Sequence, residues 1–256
     1  MKSADETVIF LHVPKTGGTT LQHILRGCYP RNQIWTLKDA GRDRQTEEFK
    51  KLSAEKRRGY RLIQGHLSFG FHRHLSGDSI YITLLREPVA RALSFYYYAR
   101  SQPDHYLYRL LQDNDLTLKT LLKEHTATTQ ELFNLQTRMI AGSDWGDGER
   151  AADRTIVERA KENLRNHFLV GLTEEFDASL RLLSQRLGWN VKSYRKENVT
   201  RRKPAVGTLD SETRALLEQA NALDIELYQF ACELFEAQCR NRTTASLSSH
   251  PTNEGK

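Results

Sequence analysis

The chain has 256 residues, of which 38% are hydrophobic and 27% charged, so it is long enough and apolar enough to bury a sizeable core. No window contains the roughly 18 consecutive apolar residues of a membrane span, and Cys28, Cys232 and Cys239 stand in no metal-ligand or disulfide spacing, as in a reducing compartment. The net charge of +6 favours an anionic cofactor or substrate, although solvated lysines and arginines give the same excess.

The opening stretch, MKSADETVIFLHVPK, has an apolar run only from Val8 to Val13 and no small-residue cleavage site, unlike a secretory signal. The expectation is a cytoplasmic chain, or one whose leader has been removed. Thr7 to Val13 is β-branched and apolar, which predicts a buried strand. Thr19 to Cys28 predicts a helix with Leu21, Ile24 and Leu25 on one face. Residues 29–60 are polar and give no assignable pattern. Short strands follow at 60–64 and 79–85, the latter reading SIYITLL. A helix is predicted over 87–100, with Pro88 in its first turn, where a missing N–H does no harm.

Further helices are predicted at 105–112, 116–125, 128–141 and 151–166, then a strand at 168–172 and a helix at 174–187. The last helix, 210–237, keeps a helical apolar period throughout. From 241 onward Ser, Thr, Asn and Pro dominate, which predicts a single domain over 1–240 and a disordered tail over 241–256. Strands punctuated by helices imply a three-layer, P-loop-like α/β domain with a mainly parallel central sheet flanked by helices.

The densest chemistry lies in HVPKTGGTT, residues 12–20. A Walker loop places four residues between its first glycine and Gly-Lys-Ser/Thr; here Lys15 precedes Gly17 and Gly18. The parts are those of an anion cradle in a different order. Glycines let backbone N–H groups approach an anion, and the helix that follows aims its positive end at it. Thr19 and Thr20 add hydroxyl donors, and Lys15 a mobile charge. A second segment, LLREPVARALSFYYYAR, puts Arg86 at the end of the strongest strand and Ser94 in the next helix. An arginine there can grip a second phosphate bidentately, at the sheet edge where α/β ligands bind. Arg91 between them reads as a surface ion pair. Two anion sites argue against a plain nucleoside triphosphate.

Together the two segments resemble the cytosolic and Golgi sulfotransferase superfamily, whose co-substrate is 3′-phosphoadenosine-5′-phosphosulfate (PAPS). There a strand–PKTG(G/S)(T/S)–helix loop holds the 5′-phosphosulfate, and an Arg-x-Pro-x-x-Arg-x-x-Ser-x-Tyr segment holds the 3′-phosphate. The resemblance implies that Pro14, Lys15, Thr16, Gly17, Gly18, Thr19 and Thr20 form the first cradle and Arg86 and Ser94 the second. QGHLSF, residues 64–69, is similar to the His-Gly-His-x-Ser-Tyr segment of the uronyl (heparan and dermatan) 2-O-sulfotransferases. Its second histidine falls on His66, which the resemblance makes the catalytic base; the first falls on Gln64 and the tyrosine on Phe69. NHFLVGLTEEF at 166–176 is similar to a strand and helix of the same branch. Arg201, Arg202 and Lys203 sit where that family carries a basic loop closing over the cofactor.

The implied activity is sulfuryl transfer from PAPS to a hydroxyl of a carbohydrate or polysaccharide, with no metal. His66 would take the acceptor's proton, and Lys15 would stabilise the leaving oxygen. His12, His72 and His74 are the rival bases. A kinase using ATP is the alternative enzyme, yet it needs a magnesium-binding Asp at a strand end and no predicted strand has one. A non-catalytic nucleotide- or polyanion-binding protein is the third reading. No nucleic-acid module accompanies the basic run. Trp35, Trp145 and Trp189 read as core or loop anchors, with Trp145 also able to stack on a sugar.

Overall fold

The computed structural model describes residues 6–38, 42–113, 116–124, 127–142, 154–191, 193–194 and 206–247. Arg201, Arg202, Lys203 and Trp145 lie outside the described residues. Five parallel strands form one sheet: β1 (Thr7–Leu11), β2 (Ile34–Leu37), β3 (Leu62–Gly65), β4 (Ser79–Leu85) and β5 (Phe168–Leu172), in the order β2-β3-β1-β4-β5. Side chains alternate between the two faces, as the pleat requires. Val8, Phe10, Leu62, Ile82 and Leu84 face one side, where Leu21, Ile24 and Leu25 of α1 (Gly18–Cys28) and Leu180, Leu183 and Leu187 of α9 (Phe176–Leu187) cover them. Ile9, Leu11, Ile63, Tyr81, Leu85 and Val170 face the other side. There they meet Phe49 of α2 (Arg42–Lys50), α7 (Leu135–Ala141), α8 (Arg154–His167) and α11 (Ala222–Leu247). The result is the three-layer architecture anticipated above, and burial on both faces accounts for the apolar strand sequences.

A satellite core packs α4 (Pro88–Ser101) against α5 (Tyr108–Asp113), α6 (Leu118–Glu124) and α10 (Ser211–Ala220) through Leu93, Phe95, Leu111, Leu121 and Leu217. At the start of α4, Glu87 accepts from the N–H groups of Val89 (3.0 Å) and Ala90 (2.7 Å), and Pro88 opens the first turn.

The structure departs from the sequence reading in three places. Residues 29–60 contain β2, α2 and α3 (Ala54–Arg58). Strand β2 is only four residues long, and α2 is too polar to show an apolar stripe, which leaves periodicity little to work on. The helix predicted over 128–141 is a 3-10 turn at Ala127–Leu132 followed by α7, and the helix predicted over 210–237 is α10 and α11. One interaction makes both breaks. Asn134 adopts left-handed backbone (φ 44°), and its Oδ1 accepts from Leu223 N (3.0 Å) and Asp224 N (3.1 Å). In return Asn134 N donates to Asn221 Oδ1 (3.2 Å). Each asparagine satisfies orphan donors at the other's helix terminus. Helix α11 runs on to Leu247.

Candidate active site

All five strands point their carboxyl ends to one edge, and chain order reverses around β1, which makes the crevice beyond β1 and β4 the natural ligand position. The loop from His12 to Gly17 turns there from β1 into α1. Lys15 and Gly17 have positive φ (70° and 77°), so successive peptide N–H groups are turned in a way a regular strand or helix cannot provide. Gly18 begins α1, and a Cβ on it would stand 1.9 Å from His12 Cδ2, so only glycine fits. Thr16 is buried and its Oγ1 donates to Val13 O (2.8 Å), which closes the loop on itself.

Neighbouring strand ends brace this loop. Thr173, just after β5, has Oγ1 2.7 Å from Thr16 O and 3.0 Å from Leu85 O. Arg86, just after β4, donates from Nη1 to Lys15 O (2.9 Å). Its backbone is gripped on both sides by Gln136: Arg86 N donates to Gln136 Oε1 (2.9 Å) and Gln136 Nε2 donates to Arg86 O (2.9 Å). Gln136 N in turn donates to the buried carboxylate of Asp224 (3.2 Å). Arg86 Nε is buried with no protein partner. Burial pulls the Arg86 guanidinium below its ordinary value, with Glu174 and Glu87 opposing. A half-buried guanidinium with a buried spare donor at Nε, beside an anion loop, fits a phosphate.

Ser94 lies on the buried side of α4 at 3% exposure. Lys15 Nζ rests 3.7 Å from the centroid of the Tyr98 ring, a cation–π contact that joins the end of α4 to the loop. Thr19 is exposed and Thr20 buried. Arg91, expected at the surface, is 0% exposed: Nη2 donates to Glu131 O (2.8 Å) and Nε lies 4.0 Å from Asp224. Burial lowers its pKa to about 10, with Asp224 opposing.

His66 follows β3. Gly65 before it has φ 147°, and a Cβ there would lie 2.3 Å from Leu37 O, so the glycine lets β3 close on β2 as the chain leaves the sheet. His66 Nδ1 lies 2.6 Å from His12 O. A carbonyl can only accept, so Nδ1 carries the proton and Nε2 of the neutral ring keeps its lone pair. The His66 ring stacks on His12 with centroids 4.3 Å apart. Of the rivals, His12 is buried behind the loop, and its pKa is pushed well below the ordinary value by burial, then by His66 and Lys15. His72 is committed to Tyr81, with Nδ1 3.0 Å from its hydroxyl, and His74 packs edge-on to Phe71.

A cavity of about 590 Å³ lies on the α1 face of the sheet, lined by His23, Arg26, Arg31, Ile34 and Thr36. Thr36 Oγ1 accepts from Gln64 Nε2 (3.1 Å), and the cavity lining includes none of Lys15, His66 and Arg86. The roles of Gln136, Thr173 and Asp224 in holding Arg86 and the loop left no trace in the sequence, because they arrive from 50 to 157 residues away. Among the described residues, no three His, Cys, Asp or Glu side chains are grouped to hold a metal, and no helix is long and apolar enough to cross a membrane.

A model of the galactose-3-O-sulfotransferase family matches residues 2–249. The chain belongs to that family. This sulfotransferase is 28% identical over 267 residues to heparan sulfate 2-O-sulfotransferase 1 of Xenopus laevis, an alignment covering 91% of this chain and 71% of that protein. It is 29% identical over 279 residues to human heparan-sulfate 6-O-sulfotransferase 1, covering 91% of this chain and 66% of that protein. Among solved structures, a mouse sulfotransferase complexed with PAP matches at 18% identity with a TM-score of 0.42, over 75% of this chain and 62% of that one. The three sugar sulfotransferase names differ in acceptor position and agree in the group transferred.

Proposed function

We propose that the chain transfers the sulfuryl group of PAPS to a hydroxyl of a carbohydrate, with His66 as general base. The observation that carries this reading is the convergence at one sheet edge of a glycine loop, the half-buried Arg86 guanidinium hydrogen-bonded to that loop, and a histidine whose Nδ1–H tautomer puts the basic lone pair on Nε2. When bound, PAPS supplies the activated sulfuryl group. The loop N–H groups and the α1 N-terminus hold its 5′ end, and Arg86 with Ser94 holds the 3′-phosphate. His66 Nε2 takes the proton of the attacking hydroxyl as the S–O bond forms. The Lys15 ammonium stabilises the charge left on the departing bridging oxygen.

The net charge of +6 favours an anionic acceptor, such as a saccharide bearing carboxylate or sulfate groups. Heparan sulfate, named in the relatives above, is a polymer of this kind.

Adenosine 3′,5′-bisphosphate (PAP) tests the two-anion site directly. A ligand that binds only the folded state adds about 2.7 kcal/mol at a hundredfold excess over its dissociation constant. The thermal shift with PAP should far exceed that with AMP or ATP, and Arg86→Ala should abolish the difference. Equal shifts with PAP and AMP would remove the 3′-phosphate site from the account.

A further inference from the structure

His12 is not needed by the reaction as written, yet it is the most constrained ring at the site. Phe10 stacks on it at 5.3 Å with planes 15° apart, His66 at 4.3 Å with planes 28° apart, and Gly18 crowds its edge. The ring is 6% exposed, and its Nδ1 is buried with no partner, so hydrogen bonding at that nitrogen does not explain its place. The same residue also supplies the carbonyl that fixes the His66 tautomer.

We propose that His12 is a positioning residue for His66, its wedged ring setting the plane in which His66 Nε2 meets the acceptor hydroxyl. This rests on the reading of His66 as the base. The physical chain is short. The α1 start locks His12 through Gly18, His12 locks the face of His66, and base and anion loop therefore move as one body. The Nδ1 hydrogen bond to the carbonyl and the stacking contact together restrict rotation of the His66 ring. Burial holds the His12 ring uncharged, so when His66 takes up a proton His12 adds no further positive charge beside it.

Three variants decide the matter, each measured for PAP affinity, kcat and acceptor KM. His12→Ala should lower kcat by ten- to a hundredfold, the loss expected when a catalytic group shifts by about 1 Å. PAP affinity and acceptor KM should stay near wild type. His12→Phe, which restores an uncharged flat ring, should recover most of the rate. His66→Ala should lose turnover more deeply than either. Wild-type kcat in a folded His12→Ala overturns the proposal, as does a loss of PAP affinity in step with kcat, which would make the ring a prop for the loop. If melting shows His12→Ala unfolded, His12→Phe decides: near-normal kcat supports the ring stack, and a collapse to the level of His66→Ala refutes it. Normal turnover in His66→Ala would instead strike the underlying assignment of the base.

Discussion

At the scale of single residues, the proposed proton transfer turns on one histidine with a fixed tautomer. His66→Ala should keep PAP binding and lose turnover by about a hundredfold or more, the usual size of a general-base contribution. Normal kcat in that variant, measured under saturating donor, would move the base elsewhere. A second outcome concerns His12, whose folded pKa lies well below the ordinary value. As pH falls below about 6.5, the unfolded chain takes up a proton at this position that the folded chain refuses, so stability is lost toward acid. The slope is at most about 1.4 kcal/mol per pH unit for one group. The melting temperature of His12→Phe should therefore fall less steeply than wild type between pH 7 and pH 5, and equal slopes would contradict a neutral His12. His72 and His74 are also lowered by burial, so some acid sensitivity remains in both proteins. Lys15, Gly18, Arg86 and His66 were legible in the sequence because each sits in a short motif with a mechanism attached. The partnership of His12 with His66 was not, since it crosses between β1 and β3 and a lone histidine in an apolar run carries no signal of what it faces.

At the scale of elements, the site depends on helices that the motifs never mention. Asp224, near the start of α11, accepts from Thr137 N (2.7 Å), Thr137 Oγ1 (2.7 Å) and Gln136 N, and so sets the start of α7. Gln136 then holds both backbone polar groups of Arg86. Gln136→Leu would leave that N–H and C=O without side-chain partners, at a cost of about 1–3 kcal/mol each if they stay dry. The variant should melt earlier and bind PAP more weakly, with the acceptor KM little changed. Unchanged PAP affinity, measured by calorimetry, would show that Arg86 holds its place without this clamp. Most elements were read correctly from period and composition. The breaks at Asn134 and Asn221 were not, because each asparagine caps the other across the fold and neither sequence stretch loses its helical period. Strand β2 escaped because four residues, only one of them buried, cannot display an alternation.

At the scale of the whole molecule, a parallel sheet with helices on both faces delivers every strand end to one crevice, and that alone explains why residues as distant as Lys15, His66, Arg86 and Thr173 converge. What passes through the crevice is decided most directly by following the transferred group. The purified chain, given PAPS labelled in its sulfuryl group and a panel of carboxylated and sulfated polysaccharides, should place the label on a saccharide hydroxyl and release PAP in equal amount. ATP labelled in its terminal phosphate should give no labelled product. Phosphate appearing on the acceptor, or PAPS left intact across a panel that includes neutral galactosides, would contradict the account.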